Sequence, residues 1–132
     1  MATLAELTST YGVEVLECLD READIPVLSG PQVQGDVSFL PVTTAPAVTA
    51  VPPDGVVLAE GREGHAHRLL PGAFFDRAPS RPGSLVIGTM TVPDGAAGYV
   101  AHDEHGYMGF GPGTYQVGGQ REFAGEWRAV AD

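Results

Sequence analysis

All four histidines of this 132-residue chain fall in two short clusters, Gly64-His65-Ala66-His67 and His102-Asp103-Glu104-His105. On a strand, residues two apart point to one face, so His65 and His67 present two imidazoles side by side. His102 and His105, three apart, do the same on a helical turn or where a strand runs into a loop. Two nitrogen pairs meeting at one point suit a divalent transition metal: tetrahedral zinc first, or part of an octahedral iron, manganese or nickel site. Glu60, Glu63, Asp103 and Glu104 lie beside these histidines in sequence. A carboxylate there would ligate the ion, orient an imidazole or take a proton from metal-bound water, and Glu104 is the candidate catalytic base. The plainer alternative is a solvated His-x-His pair, with His102 and His105 capping a turn.

The stretch Gly111–Phe123 follows directly. With strand alternation, Gln116, Gln120 and Glu122 share one face, while Tyr115, Val117, Arg121 and Phe123 share the other. Tyr115, Val117 and Phe123 suit a core. Gln120 and Glu122 would then border the metal pocket as cofactor-binding residues, or stand on an exposed polar face.

Other chemistries lack their residues. No Gly-x-Ser-x-Gly elbow occurs, and Gly109-x-Gly111-x-Gly113 has neither the lysine nor the following helix of a phosphate loop. The single cysteine, Cys18, excludes an intramolecular disulfide and reads as a buried thiol within Val15–Leu19. With a formal net charge of -10, and with arginine as its only basic residue apart from histidine, the chain has no positive stripe for nucleic acid or an anionic membrane surface. The N-terminus has no basic segment leading into a long apolar run, so a soluble, cytoplasmic protein is expected.

The elements that must position these residues are short. Eighteen glycines and eleven prolines punctuate the chain every few residues, which favours strands and tight turns. Strands are expected at 36–42, 55–60, 65–70, 84–92, 98–102 and 114–123. They are bounded by turns such as Pro52-Pro53-Asp54-Gly55 and Pro93-Asp94-Gly95. The fold class is therefore mainly β, a small β-barrel or sandwich with an N-terminal helix.

That helix is expected over residues 2 to about 22, opened by a capping box of Thr3 and Glu6. Leu4, Leu7, Tyr11, Val15, Cys18 and Leu19 form its apolar stripe, and Gly12 and Val13 weaken its middle. Residues 1–29 thus make a helical segment and linker, and residues 30–132 a β domain carrying the histidines. A lone helix of this length is marginal in water. It needs either the chain's own β domain or a second copy to cover its stripe, the latter giving a homodimer.

Two resemblances add to this. Gln34-Gly35-Asp36-Val37, Gly64-His65-Ala66-His67, His102-x-Glu104-His105-Gly106 and Gly113-x-Tyr115-x-Val117-x-x-Gln120-Arg121-Glu122 resemble a family of small uncharacterised bacterial proteins, frequent in actinobacteria. That resemblance spans residues 30–132 and implies a genuine domain without a particular chemistry. His65-x-His67 is also similar to the first metal-binding element of cupins, with Pro93-x-Gly95 ahead of His102 loosely like the second. No glutamate follows His67 at cupin spacing; Arg68-Leu69-Leu70-Pro71-Gly72 stands there instead. The expected function is a metal-dependent enzyme acting on a small molecule, or a noncatalytic module that binds a protein partner and holds a structural metal.

Overall fold

The computed structural model describes residues 2–11, 24–60 and 65–119, together with the backbone of 121–123 and 127–129. The sequence expectation of short strands holds, with twelve of them among the described residues. Sheet I has the order β1-β9-β8-β5-β4, and sheet II the order β2-β3-β10-β7-β6. The strands of sheet I are β1 (Val27–Leu28), β9 (Gly106–Phe110), β8 (Gly98–His102), β5 (Ala66–Leu69) and β4 (Val56–Glu60). Those of sheet II are β2 (Gln32–Gln34), β3 (Val37–Pro41), β10 (Gly113–Gly118), β7 (Val86–Val92) and β6 (Phe74–Arg77). Every pairing is antiparallel except that of β1 with β9.

The two sheets share one core. Phe39 of sheet II meets Phe110 of sheet I with ring centroids 4.6 Å apart, and Phe110 meets Tyr115 of sheet II edge-on at 5.5 Å. Leu58, Leu69, Met90, Val92, Val100 and Val117 complete the same buried cluster. Each is placed inward by strand alternation, and each such burial contributes about 1.5–3 kcal/mol. Each sheet is open-ended, so the fold is a sandwich and the closed barrel is excluded.

Helix α1 (Leu4–Tyr11) begins as its sequence predicts. Glu6 donates its backbone N–H to Thr3 Oγ1, and Thr3 donates its own to the Glu6 carboxylate, at 3.1 and 3.3 Å. Leu4 and Leu7 then bury against Ile25, Leu70, Ala101 and Tyr107, on the outer face of sheet I. The rest of the expected helix, with Val15, Cys18 and Leu19, lies outside the described residues. Among the described residues no helix is long and apolar enough to cross a membrane.

One expected strand divides. The run 114–123 is β10, ending at Gly118, followed by β11 (Arg121–Phe123), which pairs with β12 (Trp127–Ala129) instead. The register of β10 against β7 slips between Val117 and Gly118. Gly118-Gly119 offers no side chains to hold the ladder straight. A second irregularity lies in β4, where Leu58 is the extra residue between Val57 and Ala59 opposite β5. Such a bulge bends an edge strand, here the outer strand of sheet I.

Candidate functional site

His67 lies on β5 in the same alternation as Leu69, so both point into the sandwich, and both are completely buried. Strand β5 pairs with β8 through Arg68↔Ala101 and Leu69↔Val100. One step further in that register sets His67 opposite His102, and their rings lie 4.4 Å apart. His102 in turn is 4.3 Å from the His105 ring and 6.0 Å from that of His65. The His105 ring runs nearly parallel to that of His67, at 11° and 6.0 Å. The sequence clusters, thirty-five residues apart at their nearest members, thus become one group of four rings at the end of the core.

The ring nitrogens are a separate matter. His102 ends β8, and its Nδ1 accepts the backbone N–H groups of Glu104 and His105 at 3.0 and 3.2 Å. It caps the three-residue turn to β9, and Gly106 closes that turn at φ 78°, where glycine is favoured. Much of the His-x-Glu-His-Gly pattern is therefore turn chemistry. An Nδ1 that accepts hydrogen bonds leaves a neutral ring's proton on Nε2, the opposite of what an Nε2 metal ligand needs. His65 has Asp103 Oδ2 2.6 Å from Nδ1 and Glu104 Oε1 3.0 Å from Nε2. Only the imidazolium form can donate from both nitrogens.

His67 is held differently, by two residues the sequence reading did not assign to a site. Gln34, at the end of β2 and 2% exposed, donates from Nε2 to the carbonyls of Val100 and Gly106, at 3.1 Å each. Those bonds fix its amide, so the oxygen faces His67 Nδ1 at 2.9 Å. The ring proton accordingly sits on Nδ1. His67 Nε2 points to Asp36 Oδ1 at 3.3 Å. Asp36 follows Gly35 in the two-residue turn joining β2 to β3, where Gly35 has φ 57°. The signal for both residues was the segment Gln34-Gly35-Asp36, which sequence reading used only for a resemblance.

The cluster therefore has an inner and an outer half. Inside are Gln34, Asp36, His67 and His102, the four buried polar side chains of the described residues. Outside are His105, which is exposed, His65, 24% exposed, and the Asp103 and Glu104 carboxylates, each 44% exposed. Among the described residues no group of three or more His, Cys, Asp or Glu stands ready to hold a metal ion. The rings gather as their spacing implies, but the four nitrogens do not aim at one point, because the His102 turn and the carboxylates around His65 direct them elsewhere. Glu104 lies against His65. Glu63 and Gln120 lie outside the described residues, and Glu122 is described only by its backbone in β11. Gln116 is exposed on β10, in the sheet opposite the histidines.

Residues 33–120 match a family described as a domain of unknown function, DUF8820. The chain belongs to this family. The matched span takes in Gln34, Asp36 and all four histidines, and it omits α1, β1 and the β11–β12 pair. It agrees with the resemblance to an uncharacterised family; the likeness to cupins gains no support. No curated protein and no solved structure matches the chain.

Proposed function

We propose that the histidine–carboxylate cluster binds a divalent transition metal, zinc foremost, between His67 Nε2 and Asp36 Oδ1, in a site open to a small molecule. One observation carries this reading. Gln34 holds the His67 proton on Nδ1, so a neutral ring turns an electron pair toward a carboxylate oxygen. A cation bound there would answer both atoms. Their 3.3 Å separation is long for a charge-assisted hydrogen bond, at about 2.7–2.9 Å. It matches two ligands each ~2.1 Å from a tetrahedral ion, which lie about 3.3–3.4 Å apart. A hydrogen bond from the second ring nitrogen to a fixed oxygen is also the usual support of a metal-bound histidine.

His105, exposed and tilted against His102 with its ring 4.3 Å away, would complete the coordination by rotating its side chain, with water in the remaining positions. The partly exposed His65 and Asp103 and the exposed Glu104 favour an open site that exchanges ligands and protons over a closed structural metal in a protein-binding module. Glu104, beside His65 Nε2, is placed to move protons at the outer rim. A second reading puts a proton where the ion would sit, giving a buried His67–Asp36 ion pair; the lack of a ready three-donor group among the described residues favours it.

Metal analysis of protein purified without an affinity tag separates the two. Near-stoichiometric zinc, iron, manganese or nickel, lost in Asp36→Asn and weakened at least tenfold in His105→Ala, supports the metal site. A metal-free protein that takes up none of these ions on titration establishes the proton-bridged pair.

A further inference from the structure

The open edge of the sandwich carries the second feature with chemical potential. Strand β4 ends sheet I and β6 ends sheet II. Arg77, the last residue of β6, reaches from one to the other: its Nη2 donates to the Val57 carbonyl of β4 at 2.6 Å. Its guanidinium also lies 5.3 Å from the centroid of the Phe75 ring, two residues back on the same face. The group is thus fixed in position with most of its five N–H donors still to be used. Beside it, a cavity of about 220 Å³ is lined by Leu58, Arg77, Ser80, Arg81, Ser84 and Ile87. Leu58 is the bulge residue of β4. Arg81 opens the turn Arg81-Pro82-Gly83-Ser84, closed by the Ser84 N–H on the Arg81 carbonyl at 3.1 Å.

Among the described residues, neither Arg77 nor Arg81 has a carboxylate within ion-pair distance. That is unexpected in a chain with seventeen acidic residues against seven arginines, where surplus carboxylates are available to neutralise any arginine. Two arginines lining one cavity, with two serines in its wall, offer the residue types of an oxyanion receptor, which arginine's planar fork suits. A second cavity, also about 220 Å³, shares Ser84, Val86 and Ile87 with the first and has Asp36 and Glu60 in its wall. Each chamber alone is smaller than the ~300 Å³ at which ligand pockets usually begin. Sharing those three residues, the two chambers lie side by side as a groove, with Arg77 and Arg81 lining one part, Asp36 and Glu60 lining the other, and Val86 and Ile87 common to both.

We infer that this groove holds the oxyanion head of a small molecule, a carboxylate or a phosphate monoester, at Arg77 and Arg81, with its remaining atoms running over Val86 and Ile87 toward Asp36. The inference deepens the proposed metal site by naming the class of its ligand, and rests on that reading only for the Asp36 end.

The test is a titration of the metal-free full chain with inorganic phosphate and, separately, with succinate. Backbone amide NMR shifts are followed at constant ionic strength, because nonspecific anion effects follow salt. Saturable shifts at Arg81, Ser84 and Val86 are expected, with affinity at least tenfold weaker in Arg81→Gln, a substitution on an exposed turn. Arg77→Gln should weaken it too, and an unchanged melting temperature identifies that loss as one of binding. Response to only one probe identifies the head as carboxylate or phosphate. Saturable binding that disappears in Arg81→Gln upholds the inference even in a protein that takes up no metal. Absent or nonsaturable shifts, or equal affinity in Arg81→Gln, overturn it, and leave the metal site standing or falling on elemental analysis.

Discussion

Leu69 and His67 stand two residues apart on β5, point to the same face and are equally buried, yet they belong to opposite kinds of environment. Leu69 packs with Val100, Phe110 and Met90 in the apolar middle of the sandwich. There the only requirement is shape, and many hydrophobic side chains of the right size would serve. His67 enters a place where its nitrogens require partners of fixed polarity, because a buried polar group without one costs several times a typical hydrogen bond. The protein supplies them from a distant hairpin, through Gln34 and Asp36. Burial alone does not distinguish core from site. The identity of the buried atoms does.

The contrast predicts different responses to substitution. Leu69→Ala should cost about 3 kcal/mol of unfolding free energy through its cavity, and leave metal binding intact in the folded fraction. Gln34→Leu keeps an apolar side chain in place but orphans two carbonyls and the His67 N–H, and should cost about 2–3 kcal/mol. A buried polar group whose partners leave with it can be replaced cheaply. Adding His67→Leu and Asp36→Leu to Gln34→Leu should therefore recover the part of that loss owed to the His67 N–H, the two carbonyls staying unpaired, while abolishing metal binding, with the usual coupling of touching residues. Denaturant unfolding of the series measures both. If Gln34→Leu is neutral by itself, the polar end is not a satisfied network and the comparison fails.

Sequence reading reached these two regions unequally. The His-x-His alternation and the turns after Pro52 and Pro93 are local signals, and they located β4, β5, β7 and β8 closely. Strands β1 and β2 are too short for periodicity to show, β6 is a four-residue strand between turns, and β9 hides its alternation behind Gly106 and Gly109. The partners of His67 were illegible for a topological reason. Gln34 and His67 are thirty-three residues apart, and only the pairing of one sheet against the other brings them together. The turn-capping role of His102 was legible as an alternative, since three residues between His102 and Gly106 suit a hairpin loop. The outer pair Gln120 and Glu122 followed from extending the alternation of β10 past Gly118-Gly119, where the ladder actually slips.

A smaller effect sharpens the division between the inner and outer halves of the cluster. Glu104 is nearly half exposed and pairs with His65 in reach of solvent, where such pairs contribute ~0–1 kcal/mol. Glu104→Gln should change stability by less than about 0.5 kcal/mol and leave metal content unaltered, because the amide oxygen can still accept from the ring. It should remove any metal-dependent turnover found in a screen of small carboxylates and phosphate esters. Loss of bound metal in Glu104→Gln would instead make the outer half part of the ion's coordination, and the boundary drawn here would move outward.

Asp76 extends the comparison to a polar side chain that faces solvent. It lies on β6 and accepts the backbone N–H groups of Val48 and Thr49 at 3.1 Å each, tying the loop before β4 to the sheet edge. The Thr49 hydroxyl, then these backbone donors, favour the charged form, and its carboxyl is held below the ordinary 3.8 against a slight opposing effect of burial. A folded-state pKa below the unfolded value means the stabilisation is fully present above the unfolded pKa and disappears as pH falls through the folded one. Unlike the His67–Asp36 pair, water competes for every one of these bonds, so the stability at stake is small and confined to acid. Thr49→Val removes the leading cause. Followed by the carboxyl carbon shift of Asp76, it should raise the midpoint toward 3.8 while leaving the unfolding midpoint at neutral pH nearly unchanged. A midpoint that stays put would assign the depression to the Val48 and Thr49 backbone alone. A large loss of stability at neutral pH would show that this exposed tether behaves like the buried one.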